Sequence, residues 1–157
     1  MPDGSPRGSP QRLARVAGVL YLVIIAAGLF ADAFVREHLI VEGRATATAR
    51  NITAHALFFR IGIAADLSTF VLAIALTVIL YVLLKPVSRN AALLMVAFNL
   101  VQDAIGGVNA LDTYAPLQLL GNATYLKTFS PEQLEAMALL ALNRHAVGFA
   151  IALLFFA

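Results

Sequence analysis

Asn99, Gln102, Asp103, Gly106 and Ala110 stand at i, i+3, i+4, i+7 and i+11, the spacing that places side chains on one face of a helix. Leu93, Val96, Leu100, Ile105 and Val108 fall largely on other faces and suit lipid. A carboxylate and two carboxamides inside an apolar segment point into a bundle or a wet cavity, because an ionisable group facing hydrocarbon is costly. This face has two readings. It is a substrate or proton site, or it joins helices through interhelical hydrogen bonds.

Two other apolar segments carry stripes of small and polar residues. One has Gly62, Asp66, Thr69, Ala73 and Thr77; the other has Ala14, Gly18, Tyr21, Ile25, Gly28 and Asp32. Small residues at this spacing predict close helix packing. Asp32 and Asp66 fall near the outer ends of their segments, where a carboxylate is solvated. Arg144 and His145 lie inside the last segment. At about 1.5 Å per residue, Asp103 lies roughly 20 Å from the inner end of its segment at Asn90. Arg144 lies roughly 20 Å from Pro131, on a segment that starts at the outer side. The expectation is an ion pair between Arg144 and Asp103 in the outer half of a bundle, with Asp66, Asn99, Gln102, His145 and Asp32 in the same polar cluster. The alternative is that Arg144 snorkels to the outer surface.

The chain has 3 histidines and no cysteine. His38, His55 and His145 lack HxxxH or HExxH spacing and read as hydrogen-bonded or interfacial side chains, not as metal or haem ligands. Ser68, Ser88 and Ser130 form no GxSxG elbow, and no glycine-rich phosphate loop is present. The expectation is therefore no metal, no cofactor and no enzyme activity; an intramembrane enzyme ranks last because no complete catalytic constellation can be named.

The elements that must carry these groups are membrane spans. Of 157 residues, 61% are hydrophobic and 13% charged, against roughly 45–50% and about 25% in soluble domains. Mean hydropathy is +0.84. Eleven basic residues against 9 acidic ones make no polyanion-binding face, so nucleic acid is excluded as a partner. The fold class is all-α, a polytopic transmembrane helical bundle with spans near 14–34, 61–84, 90–111 and 134–157. Residues 1–12, rich in Pro, Gly and Ser, read as a disordered cytoplasmic tail. The run Val16–Ala31 resembles a signal peptide but exceeds the usual h-region, so it reads as a retained first span. A helix over Asn51–Leu84 is too long for a bilayer, and its first turns should protrude or lie in the interface. Asp112–Leu120 reads as a re-entrant or interfacial piece, and Gly121-Asn122 breaks the chain before the last span. Ser130-Pro131-Glu132-Gln133 carries the signature of a capped helix start.

Orientation follows from the basic flanks. Arg7, Arg12, Arg15, Lys85 and Arg89 fall on one side; Arg36, Arg44, Arg50, Arg60 and Lys127 fall on or near the other. The first group sits beside the first span in short, acid-poor flanks, which places the N-terminus in the cytoplasm of a cell (inner) membrane protein. Tyr81 at one boundary and Tyr114 and Tyr125 at the other fit an aromatic belt.

Four stretches in order, Arg15-Val-Ala-Gly-Val-Leu-Tyr-Leu22, Leu57-Phe-Phe-Arg-Ile-Gly-Ile-Ala-Ala-Asp-Leu67, Leu80-Tyr-Val-Leu-Leu-Lys-Pro-Val87 and His145-Ala-Val-Gly-Phe-Ala-Ile-Ala-Leu-Leu-Phe-Phe156, resemble the bacterial integral membrane family catalogued as domain of unknown function 4386. The resemblance covers the chain from Leu13 onward and carries no assigned activity or functional residue. It implies further transmembrane helices after the Phe-Phe motif, so the expectation is that residues 13–157 are an incomplete domain of a member truncated at the C-terminus. The sequence supports two functions: a small-molecule binding or transport module with a polar site in the outer half of the bundle, or an assembly element of a larger membrane unit. The partners expected are the lipid bilayer and other membrane helices or further copies of the chain.

Overall fold

The computed structural model describes residues 10–155. Among the described residues the fold is all-helical, and 4 helical segments are long and apolar enough to cross a membrane: Pro10–Leu39, Ala56–Leu84, Arg89–Leu119 and Pro131–Leu153. The first is composite: α1 (Pro10–Leu29), a π-helical stretch over Phe30–Arg36, and a last turn, α2 (Glu37–Leu39). A short α3 (Ala45–Ala54) precedes α4 (Ala56–Leu84), α5 (Arg89–Leu119) and α6 (Pro131–Leu153). Large apolar side chains such as Val19, Leu22, Val71, Val78, Leu100, Val108 and Val147 point outward. In water that surface would aggregate; in a bilayer it is the lipid-facing surface. The protein is a multi-pass membrane protein.

Several boundaries differ from the sequence reading, each for a local reason. α1 begins at Pro10, so its first residues lie within the segment assigned to the tail; the rest of that tail falls outside the described residues. The helix over Asn51–Leu84 is broken at His55, whose φ of −121° and ψ of 37° turn the chain. α3 is thereby free to pack on α6. Its Ile52 enters a core with Val35, Leu39, Phe59 and Leu142, and Thr46 Oγ1 donates to Glu135 Oε2 at 2.6 Å. Asn51 Nδ2 donates to the carbonyl of Leu39 at 3.2 Å, serving the end of the first span.

Asp112–Leu119 is not a re-entrant piece. It continues α5, even through Pro116, because Leu117 and Leu120 gain contact with the same apolar core. The helix ends where Gly121 and Asn122, at φ 58°, turn the chain; asparagine tolerates that left-handed geometry. Ser130 and Gln133 form the expected capping box with Pro131 at the helix start.

The spans neighbour one another in the order α1, α4, α5, α6, and among the described residues α1 and α6 do not pack closely on each other. Two glycines allow the close approaches. A Cβ on Gly62 would fall 2.8 Å from Val35 Cγ1, and one on Gly106 would collide with the ring of Phe70. Gly18 and Gly28, placed in a packing stripe by sequence, have open space beside them instead.

Candidate functional site

The stripes on α1, α4 and α5 turn toward a common cavity of ≈ 390 Å³ that α6 completes. Asn99, Gln102, Asp103, Gly106 and Ala110 all line it, together with Asp66, Thr69, Ala73 and Thr77 from α4. Tyr21, Gly28 and Asp32 come from the first span and its π-helical stretch, and His145 and Phe149 from α6. Most of the wall is apolar, so the polar groups stand out as separate anchor points.

One polar group is a charge cluster toward the end of the bundle where the first span finishes and α4 begins. In the π-helical stretch, the backbone N–H of Glu37 bonds the carbonyl of Asp32, an i→i+5 bond that adds a residue to the turn. Val35 then seats on Gly62, and Arg36 turns inward. Its Nε donates to Asp32 Oδ1 at 2.9 Å, and its Nη1 makes a close ion pair with Asp66 Oδ2. The Arg36 and Asp66 side chains are 12% and 18% exposed, whereas Asp32 is 62% exposed. Sequence reasoning counted Arg36 among the flanking basic residues and Asp66 among solvated carboxylates. The geometry makes them a sheltered pair. The i, i+4 spacing of Asp32 and Arg36 was the available signal.

A second group ties α5 to α6. Thr113 Oγ1 and His145 Nδ1 share a hydrogen bond at 2.6 Å, and Asn109 Nδ2 donates to the backbone carbonyl of His145 at 2.8 Å. Asn109 Nδ2 also lies 3.1 Å from His145 Nδ1. Nδ1 also lies 3.4 Å from the backbone carbonyl of Asn109, so this one ring nitrogen is surrounded by polar groups of α5. Asn109 and Thr113 were not among the expected cluster residues. Asn109 stands one turn after Gly106, within the segment as read from the sequence, and Thr113 one turn after Ala110, just past the end placed near Leu111.

Asp103 is the third. It stands near the middle of the 31-residue α5. The expected Arg144–Asp103 pair does not form. Arg144 Nη2 lies 3.4 Å from Asp112 Oδ2, and the Arg144 side chain is 68% exposed. The reason is axial register: Gly148 of α6 abuts Asn109 of α5, which sets Arg144 beside Asp112, roughly 13 Å along the helix from Asp103. Arg144 therefore leaves the cluster. Asp103 makes no ion pair among the described residues, and its Oδ2 is buried without a hydrogen-bond partner. Asn99 serves its own helix, donating to the Met95 carbonyl at 2.9 Å. His38 and His55 are exposed, each beside a backbone carbonyl, of Ala33 and of Asn51.

Residues 16–157 match the family model described as a domain of unknown function (DUF4386). The chain belongs to this family. Neither the curated proteins nor the solved structures contain a match to it. In this family member the four stretches that carried the resemblance supply site residues: Tyr21, Asp66, Leu80, and His145 with Phe149, all line the cavity.

Proposed function

We propose that the chain binds a small molecule in the cavity between its spans, as a binding or transport module rather than an enzyme, and that the site opens toward the outer face of a cell (inner) membrane. The observation that carries this reading is Asp103. A carboxylate near mid-span, in an apolar-walled cavity and without a protein partner, is expensive unless something entering the cavity answers it. The test is thermal unfolding of the purified chain in detergent against small organic amines, alcohols and carboxylates. Binding to the native state raises the melting temperature in a concentration-dependent way. A chain that responds to none of them and co-purifies as a stable complex with another membrane protein would overturn the reading.

That second outcome is the assembly reading, and one observation favours it: the seam between α1 and α6 is left unpacked. An assembly element would use that seam to seat helices of another chain or of a second copy.

Orientation is part of the proposal, with the N-terminus cytoplasmic. Val41–Arg44 and Gly121–Ser130 lie at one end of the bundle, and the Lys85–Ser88 turn at the other. A cysteine at Arg44 or Lys127 should react with an impermeant thiol reagent in intact cells, and one at Ser88 only after permeabilisation. The reverse pattern would turn the site toward the cytoplasm.

A further inference from the structure

We propose that the ligand is an organic cation, an ammonium group on an apolar or aromatic body, with Asp103 receiving the charge. This rests on the binding reading and names its chemical class. The cavity is lined by three carboxylates, Asp32, Asp66 and Asp103, against one guanidinium, Arg36. That guanidinium is already engaged by Asp32 and Asp66. Arg144, the basic residue the sequence would have set against Asp103, is turned outward to Asp112. Two negative charges remain: one is shared over the Arg36 cluster, whose Asp32 is largely exposed, and the other sits on Asp103, deeper than that cluster, with no cation beside it among the described residues.

The axial distance supports this separation. Phe70 and Gly106 touch, Asp66 is one turn outward of Phe70 on α4, and Asp103 is one turn inward of Gly106 on α5. Asp103 and Asp66 are thus roughly 10 Å apart along the bundle, too far for Arg36 to serve both. An anion would meet this uncompensated carboxylate, while a neutral molecule would leave its charge unanswered.

The walls select the rest of the ligand. Tyr21, Phe70 and Phe149 border the cavity, and aromatic faces attract a desolvated cation. Among the described residues no group of three His, Asp or Glu side chains is arranged to hold a metal ion. One carboxylate within an apolar chamber suits a monovalent ammonium carrying its own apolar surface better than a bare, strongly hydrated ion.

The experiment uses the full chain, purified in detergent, with three probes that share one aromatic body: phenethylammonium, phenethyl alcohol and hydrocinnamate. Affinities are read from thermal unfolding against probe concentration. Phenethylammonium is expected to bind at least about tenfold tighter than the alcohol, a charged hydrogen bond against a neutral one. Hydrocinnamate is expected to give no shift. Asp103→Asn should remove that preference and leave alcohol binding unchanged. Asp112→Asn, at the outward Arg144 pair, should preserve the preference. The wild-type ratio decides even if Asp103→Asn does not fold. Equal binding of ammonium and alcohol, or tighter binding of hydrocinnamate, overturns the cation while the binding reading stands. No response to any of the three overturns the binding reading itself.

Discussion

Arg36→Met will destabilise the folded chain by about 3 kcal/mol, the scale for removing one partner of a sheltered ion pair. Arg36 holds Asp66 directly and Asp32 through Nε. Without it, the Asp66 carboxylate, which is 18% exposed, stays within the bundle with no cation. The loss is that uncompensated charge more than the loss of an attraction. Asp66→Asn added to Arg36→Met should therefore restore part of the stability, and the double variant should be milder than the sum of the singles. Asp32→Asn alone should cost less than about 1 kcal/mol, as for other exposed pairs. Chemical unfolding in detergent followed by circular dichroism measures all four. Strict additivity of the Arg36 and Asp66 changes would show that the π-helical stretch is held by packing alone.

Gly148→Ala is expected to cost about 2 kcal/mol, although alanine is the better helix former by about 1 kcal/mol. The added methyl would collide with the side-chain amide of Asn109. That amide cannot simply rotate away, because its nitrogen bonds the His145 carbonyl at 2.8 Å and sits beside the imidazole. Moving it takes the donor from the His145 carbonyl and pushes α5 from α6 at the level of the cavity. Gly107→Ala is the control. A Cβ there meets nothing within 4 Å, so that change should be neutral or mildly stabilising. Thermal unfolding of the pair separates the contact from helix propensity, and equal behaviour of the two variants would remove the Gly148–Asn109 contact as a determinant of register.

The sequence determined the spans and the polar face of α5. Both are local properties: the number of apolar residues needed to cross hydrocarbon, and the 3.6-residue period that gathers Asn99, Gln102, Asp103, Gly106 and Ala110 on one side. The capped start at Ser130 was legible for the same reason, since its hydrogen bonds close within one turn. The break at His55 and the passage of α5 through Pro116 were not. There, packing of Ile52, Leu117 and Leu120 into one core outweighs the local preference. The partners of the charges were settled by tertiary structure alone. Helical periodicity says which side chains share a face, but not how far one helix slides or rotates against its neighbour. The contacts of Val35 with Gly62, Phe70 with Gly106 and Asn109 with Gly148 fix those shifts. They turn Arg36 onto Asp66, set Arg144 beside Asp112 and leave Asp103 facing the cavity without a partner. A turn of helix is only about 5.4 Å, so a displacement of that size is enough to exchange one ion pair for another, and only the packed bundle chooses between them.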